Sequence, residues 1–169
     1  MVKMELVAAL VESFVALIII VMLVFMRKRY LKKKSEITKT LIFVFLYFVV
    51  STLFSIVAKV FWYFSDSSDI SSLVGRPYIV GLLMEFRFVY SFIAISLYYS
   101  VKFKDLVFEK ELQKDKLMRY KIFTAAIIVY ELAVFDPTVE ILELIASGLT
   151  FVYMLIVYLP LMRESFRDR

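Results

Sequence analysis

The sequence predicts an all-α integral membrane bundle of five transmembrane helices, with the N-terminus outside and the C-terminus in the cytoplasm. Three observations predict it. Of 169 residues, 62% are hydrophobic, against about 45–50% in an ordinary soluble domain, and the mean hydropathy is +0.83. Apolar runs of membrane-spanning length recur along the chain. Between those runs, basic residues gather in alternate segments. A chain of this size has no soluble interior that could hold such an apolar excess, so residues 1–169 read as a single transmembrane domain.

A helix needs about 20 apolar residues, each rising 1.5 Å, to cross roughly 30 Å of hydrocarbon. Residues 4–26 form the first such run. It is not a signal peptide, because its basic residues follow the apolar stretch and no small-residue cleavage site precedes Arg27. Residues 41–64 and 77–101 form the second and third spans. Ile122–Phe135 is short, so the fourth span either stays thin or extends inward from about Leu117, giving a span near residues 120–135. A re-entrant or surface helix is the alternative there, and it would leave four spans. Asp136 and Pro137 read as a tight hairpin, Asp as a cap and Pro at a first helical position. Residues 138–162 make the fifth span. Segments 27–40 and 102–119 are expected as cytoplasmic loops and 65–76 as an outer loop, with the Ser/Asp stretch Ser65–Ser72 solvated.

Charge sets the orientation. Arg27, Lys28, Arg29, Lys32, Lys33, Lys34 and Lys39 lie between spans one and two. Lys102, Lys104, Lys110, Lys114, Lys116, Arg119 and Lys121 lie between spans three and four, and Arg163, Arg167 and Arg169 follow span five. These are 17 of the 21 Lys and Arg residues, all on one side if there are five spans. That excess marks the cytoplasmic face. Four spans would send the last three arginines outside. The run Arg27, Lys28, Arg29, Lys32, Lys33 and Lys34 suffices as a topology signal, and it would also attract anionic lipid headgroups at about 1 kcal/mol per residue. The segment Lys102–Lys121 lacks Gly and Pro and is open to two readings, a solvated connector or a partner-docking face, with helix continuing into it from spans three and four. Trp62, Tyr63 and Tyr78 fall at the outer ends of their spans, while Tyr30, Tyr98, Tyr99, Tyr120 and Tyr158 fall near the inner ends, as headgroup-level aromatics do. Tyr47, Tyr90, Tyr130 and Tyr153 lie deeper and are expected between helices.

Seven ionisable residues fall inside the spans or near their outer ends: Glu12, Lys59, Glu85, Arg87, Glu131, Glu140 and Glu143. A charge at the bilayer centre costs at least about 2.5–3.5 kcal/mol on insertion scales, so these groups should turn toward one another. Helical faces permit it. Glu5, Ala8, Ala9, Glu12 and Ala16 form one polar-and-small stripe, and Ser51, Ser55 and Lys59 recur every four residues. Thr124 and Glu131 share a face seven residues apart. Asp136, Glu140, Glu143, Ser147 and Thr150 run down one side of span five. Glu85 and Arg87 lie about 200° apart on an α-helix and address different neighbours. The expected site is an outward-facing acid-rich pocket for a ligand or ion, centred on Glu85, Arg87 and Glu131, with Lys59, Glu12, Glu140 and Glu143 around it. The plain alternative is that the shallow groups snorkel into headgroups and that Glu85 and Arg87 fix helix register.

Other chemistry is missing. The chain has no Cys and no His, which excludes disulfides, thiol nucleophiles and the usual zinc sites. Gly75, Gly81 and Gly148 stand alone, so no phosphate-cradling loop is present, and nothing resembles a nucleophile elbow. No cofactor and no metal are expected, although carboxylate-only cation binding is chemically feasible. The pI near 9.3 follows from topology and does not indicate nucleic acid. Lacking Cys, His and Asn, the composition matches that of hyperthermophile chains. The reading is therefore a non-enzymatic multi-pass protein of the cell membrane, sensor-like or ligand-binding, with cytoplasmic partner contacts. A small proton- or cation-coupled transporter or channel, and a structural subunit of a membrane complex or homo-oligomer, are the alternatives.

Overall fold

A computed structural model describes residues 4–63, 77–109, 114–134 and 140–167, and these are helical apart from a turn at Lys34 and Ser35. They form five rods. The first two are α1 (Met4–Lys33) and α2 (Glu36–Tyr63). The third begins as α3 (Pro77–Leu83), widens into a π-helical turn at Met84–Val89, continues as α4 (Tyr90–Lys104) and ends in a second π turn at Asp105–Glu109. The fourth is α5 (Lys114–Val129) with a π turn at Tyr130–Val134, and the fifth is α6 (Glu140–Arg167). Among the described residues, three stretches are long and apolar enough to cross a membrane: Leu6–Lys33, Glu36–Tyr63 and Ile79–Phe108. The 16-residue α5 of the fourth rod starts at Lys114, three residues ahead of Leu117. Expectations for Ser65–Ser72, Tyr78, Asp136 and Pro137 fall outside the described residues and side chains.

Residues 27–40 are not a loop. Helix α1 carries its basic run to Lys33, and Lys34 is the first residue to leave helical geometry, at a φ of 46°. The Lys34 amide still donates to the Tyr30 carbonyl at 2.7 Å, and the Lys39 amide donates to Ser35 at 3.0 Å. Straight-chain basic residues are good helix formers, and cations suit a helix C-terminus; this explains the continuation. The left-handed position beyond the last turn is one that Gly usually fills. Segment 102–119 is likewise helical to Glu109 and again from Lys114.

Cross-rod contacts fix an up–down order. Glu12 meets Lys59, Ser96 donates to the Val44 carbonyl at 3.0 Å, Asp105 meets Lys116, and Thr124 meets Tyr153. In the first three an early position on one rod faces a late position on its neighbour, and the last pair meets midway along both rods, as antiparallel neighbours do. The third rod is the centre of the fold: α2 packs on one side of it, α5 and α6 on the other. Helix α1 rests chiefly on α2, through buried Ala9, Ala16 and Ile19, while Leu10, Val11, Phe14, Leu17 and Ile18 face outward. Small residues on the buried stripe let the two backbones approach.

The α2 seam with the third rod is a run of stacked rings. Phe43 stacks on Tyr99 at 5.0 Å, Tyr99 on Tyr47 at 5.6 Å, Tyr47 on Phe92 at 6.3 Å, Phe92 on Phe54 at 5.6 Å, and Phe54 on Phe88 at 4.9 Å. Such pairs contribute about 0.5–1.5 kcal/mol each beyond area burial. At the far end of this seam Gly81 permits a close approach. A Cβ there would overlap the Trp62 indole and sit 3.1 Å from the Ala58 carbonyl oxygen. On the other side, Ala94, Leu97, Val101, Ile127, Tyr153 and Val157 form one apolar core, and Leu82 and Ala146, covered by Trp62, Tyr90, Tyr130 and Leu142, form a second. Tyr47, Tyr90, Tyr130 and Tyr153 thus lie between helices, as their depth suggested.

Candidate functional site

The expected site residues divide between two places. Glu12 and Lys59 form the first. The Lys59 ammonium donates to Glu12 Oε1 at 2.8 Å and also to Ser55 Oγ, one turn back on α2. The pair borders a cleft of about 210 Å³ between α1, α2 and the third rod, walled by Val15, Phe48, Ser51, Thr52, Ser55, Val89 and Ile93. Thr52 closes its own hydroxyl onto the Phe48 carbonyl at 2.9 Å. The Ser51–Ser55–Lys59 stripe thus faces inward, with both serines buried.

Glu85, Arg87 and Glu131 form the second place. Glu85 and Arg87 are half-buried in the π turn Met84–Val89. That turn packs against α2, α6 and the other π turn, Tyr130–Val134, which carries Glu131. Glu131 is fully buried, and among the described residues neither carboxylate oxygen accepts a hydrogen bond. Thr124, Ile127 and Glu131 make one buried face of the fourth rod, so the seven-residue spacing read from sequence holds. A π turn inserts one residue into the helical ladder, which rotates the face of everything after it by about 100°. Each of the three π turns carries a buried or half-buried ionisable residue.

The remaining members differ. Glu140 and Glu143 fall at the start of α6, and their side chains lie outside the described residues, as does that of Glu5. The buried face of α6 is Ala146, Thr150, Tyr153 and Val157. Ser147 lies off it, bonded locally to the Leu144 carbonyl at 3.2 Å, so of the two described side chains of the expected Asp136–Glu140–Glu143–Ser147–Thr150 stripe, Thr150 is on the buried face and Ser147 is not. The shift follows from the large Tyr153 ring, which seeks the core and sets the rotation of the helix.

One buried charge went unforeseen. Asp105, placed by sequence in a solvated loop, has no exposed surface and pairs with Lys116 at 3.0 Å. Its position just past a span hid it, because the third helix continues beyond its apolar run and folds Asp105 back onto α5. The lack of Gly or Pro in that segment was the available signal. Between rods four and five, the Thr124 and Tyr153 hydroxyls meet at 2.8 Å in the core, and the Tyr130 hydroxyl donates to the Leu142 carbonyl at 3.0 Å. Thr150 and Ser91 are buried hydroxyls with no hydrogen-bond partner among the described residues.

Among the described residues, no group of three or more acidic side chains gathers as a metal site. Comparison with protein families, with curated proteins and with solved structures finds no match to this chain.

Proposed function

We propose that this chain is a non-enzymatic multi-pass protein of the cell membrane, crossing it five times with its N-terminus outside, and that it binds a small monovalent cation at Glu131 as a sensor-like membrane component. The antiparallel order of the rods supports the topology, since it brings the described parts of the basic segments, 27–39, 102–109, 114–121 and 163–167, to one end of the bundle. Glu131 carries the functional reading. An ionisable group sealed inside a membrane bundle marks a ligand or ion pathway far more often than a packing element. A lone acceptor without donors calls for a cation. One carboxylate suits one positive charge, and hard oxygen ligands suit proton or alkali ion alike.

Nearby polar groups fit the same use. Tyr90 and Tyr130 both pack on the Leu82–Ala146 cluster, which sets Ser91 and Glu131 at that level, and Thr150 lies one turn along from Ala146. Their hydroxyls supply neutral oxygens, while Glu85 and Arg87 in the adjoining turn set the local field. The basic end, with Lys102–Lys121, then offers a face to a cytoplasmic partner. The test is thermal unfolding of the purified protein with Na⁺ replacing choline, and across mildly acidic to mildly basic buffer. Wild type should respond to one of these cations and Glu131→Gln should not; an equal response in both ends the proposal.

A second reading, passage of the cation, is favoured by one observation. Buried hydroxyls continue from Thr150 to the Thr124–Tyr153 pair, toward the basic end. Cation or proton flux into liposomes that is abolished by Glu131→Gln would support passage, and absence of flux rejects it.

A further inference from the structure

A hydroxyl on a membrane helix has a ready partner in its own backbone, the carbonyl four residues back. Ser13, Thr52 and Ser100 all take it, at 2.7, 2.9 and 3.0 Å. Ser91 and Thr150 do not. Both are buried, and neither hydroxyl has a hydrogen-bond partner among the described residues. Both oxygens of the buried Glu131 are in the same state. Each such group is costly to bury, and these three come from three rods at one depth.

The fourth and fifth rods both pack on the third and barely on each other, leaving a gap between their inner faces. Asp105 and Lys116 touch at 3.0 Å; Ser91 lies 14 residues before the one and Glu131 15 beyond the other. Each therefore stands about 21–22 Å from that contact, away from the basic end. Measured instead from the Thr124–Tyr153 contact, Glu131 stands about 10 Å along and Thr150 about 5 Å. Side chains lean toward the start of their own helix, which tips Glu131 and Thr150 toward each other. Ser91 adjoins the buried face of Ala94, Leu97 and Val101, and Thr150 shares one with Ala146 and Tyr153. These faces close the core between the three rods.

We infer that the cation at Glu131 is an alkali-metal ion, held without its water between the Glu131 carboxylate and the Ser91 and Thr150 hydroxyls. The assignment rests on Glu131 being a cation site and names what fills it. Charge and ligand count choose the ion. Glu85 and Arg87, in the π turn facing Glu131, have partners of their own and bring one charge of each sign. Lys59 on α2 is paired with Glu12, and Tyr90, Tyr130 and Tyr153 are neutral. Glu140 and Glu143, whose side chains lie outside the described residues, are acidic and add no competing cation. One negative charge remains at Glu131, which a monovalent ion balances and a divalent ion overshoots. A proton would settle on one carboxylate oxygen and leave at least one hydroxyl as it stands. A water molecule would serve the hydroxyls and leave the charge. An alkali ion takes all four oxygens, the hard ligands that suit it.

The Na⁺ concentration that half-saturates thermal stabilisation of the purified protein reads the site, because a bound ion raises stability by mass action. Choline holds ionic strength constant, and K⁺ and acidified buffer form separate arms. Ser91→Ala and Thr150→Val should each raise the half-saturating alkali concentration about tenfold, while the response to acid stays as in wild type. Thr150→Ser keeps the hydroxyl and should stay within about threefold of wild type. Ser100→Ala, whose hydroxyl is closed on its own helix, should do the same. Binding of radiolabelled Na⁺ supplies the ranking if a variant unfolds too early to titrate. A wild type that responds to acid but to neither Na⁺ nor K⁺ would overturn the alkali ion and leave Glu131 as a proton site. An alkali response that survives both Ser91→Ala and Thr150→Val but not Glu131→Gln would overturn the role of the hydroxyls. No response to any of these cations would end the Glu131 site itself.

Discussion

The Glu12–Lys59 contact makes a quantitative claim about how α1 is held on α2. Lys59→Met would leave Glu12 against Val15, Phe48, Val89 and Ile93 with no cation beside it. Removing one partner of a buried ion pair costs about 3–5 kcal/mol. The Glu12 side chain retains 31% of its exposure, against 13% for Lys59, so the loss should fall to about 2–3 kcal/mol. Glu12→Gln should cost less, about 1–2 kcal/mol, because Lys59 keeps its bond to Ser55 Oγ and an amide oxygen to lean on. The double variant leaves no uncompensated charge and should lie within about 1 kcal/mol of wild type. The assay is denaturant or detergent-driven unfolding in mixed micelles, followed by helicity, for all four proteins. A coupling of about 2–5 kcal/mol is expected. Single-variant losses that add to within about 0.5 kcal/mol in the double variant would refute the claim that this pair docks α1.

Other outcomes follow from the same geometry. Gly81→Ala drives a methyl group into the Trp62 indole and should destabilise by about 1–3 kcal/mol, read by unfolding together with a shift in Trp62 fluorescence. Asp105→Ala removes the buried carboxylate that Lys116 meets at 3.0 Å and should lower stability by about 1–3 kcal/mol, with Asp105→Asn partly restoring it. Tyr153→Phe deletes the hydroxyl contact to Thr124 and should cost about 0.6 kcal/mol and no more than about 1.7 kcal/mol, the average and the maximum for polar contacts between membrane helices. The absence of cysteine makes single-cysteine labelling clean. Lys34→Cys should react with impermeant maleimide only from the cytoplasmic side and Ser68→Cys only from outside; labelling of both from one side would reject the five-span orientation.

Much of the architecture is written in the sequence, because apolar length and charge placement act locally. The first three long helices follow their apolar runs, and the depth of Glu12 in α1 matches that of Lys59 in α2 through simple rise per residue. The shared face of Thr124 and Glu131 is a matter of helical period alone. What escaped depends on tertiary packing. Three π turns reset the helical phase at Met84–Val89, Asp105–Glu109 and Tyr130–Val134, and no residue pattern announces an inserted position. Asp105 looked solvated because the apolar run ends before it, yet the rod continues and buries it. On α6 the Tyr153 ring outweighed the polar periodicity and turned Ser147 aside. The gap between rods four and five also has no local signal, since it arises from both rods preferring α4 to each other.

Modification of Glu131 by an apolar carbodiimide, which reacts with carboxyls sheltered from water, addresses the cation centre most directly. Mass spectrometry of the labelled protein should find the adduct on Glu131, formed at a rate that falls as Na⁺ replaces choline or as the buffer is made more basic. Labelling confined to other carboxylates, or a Glu131 rate indifferent to both Na⁺ and acidity, would contradict the account.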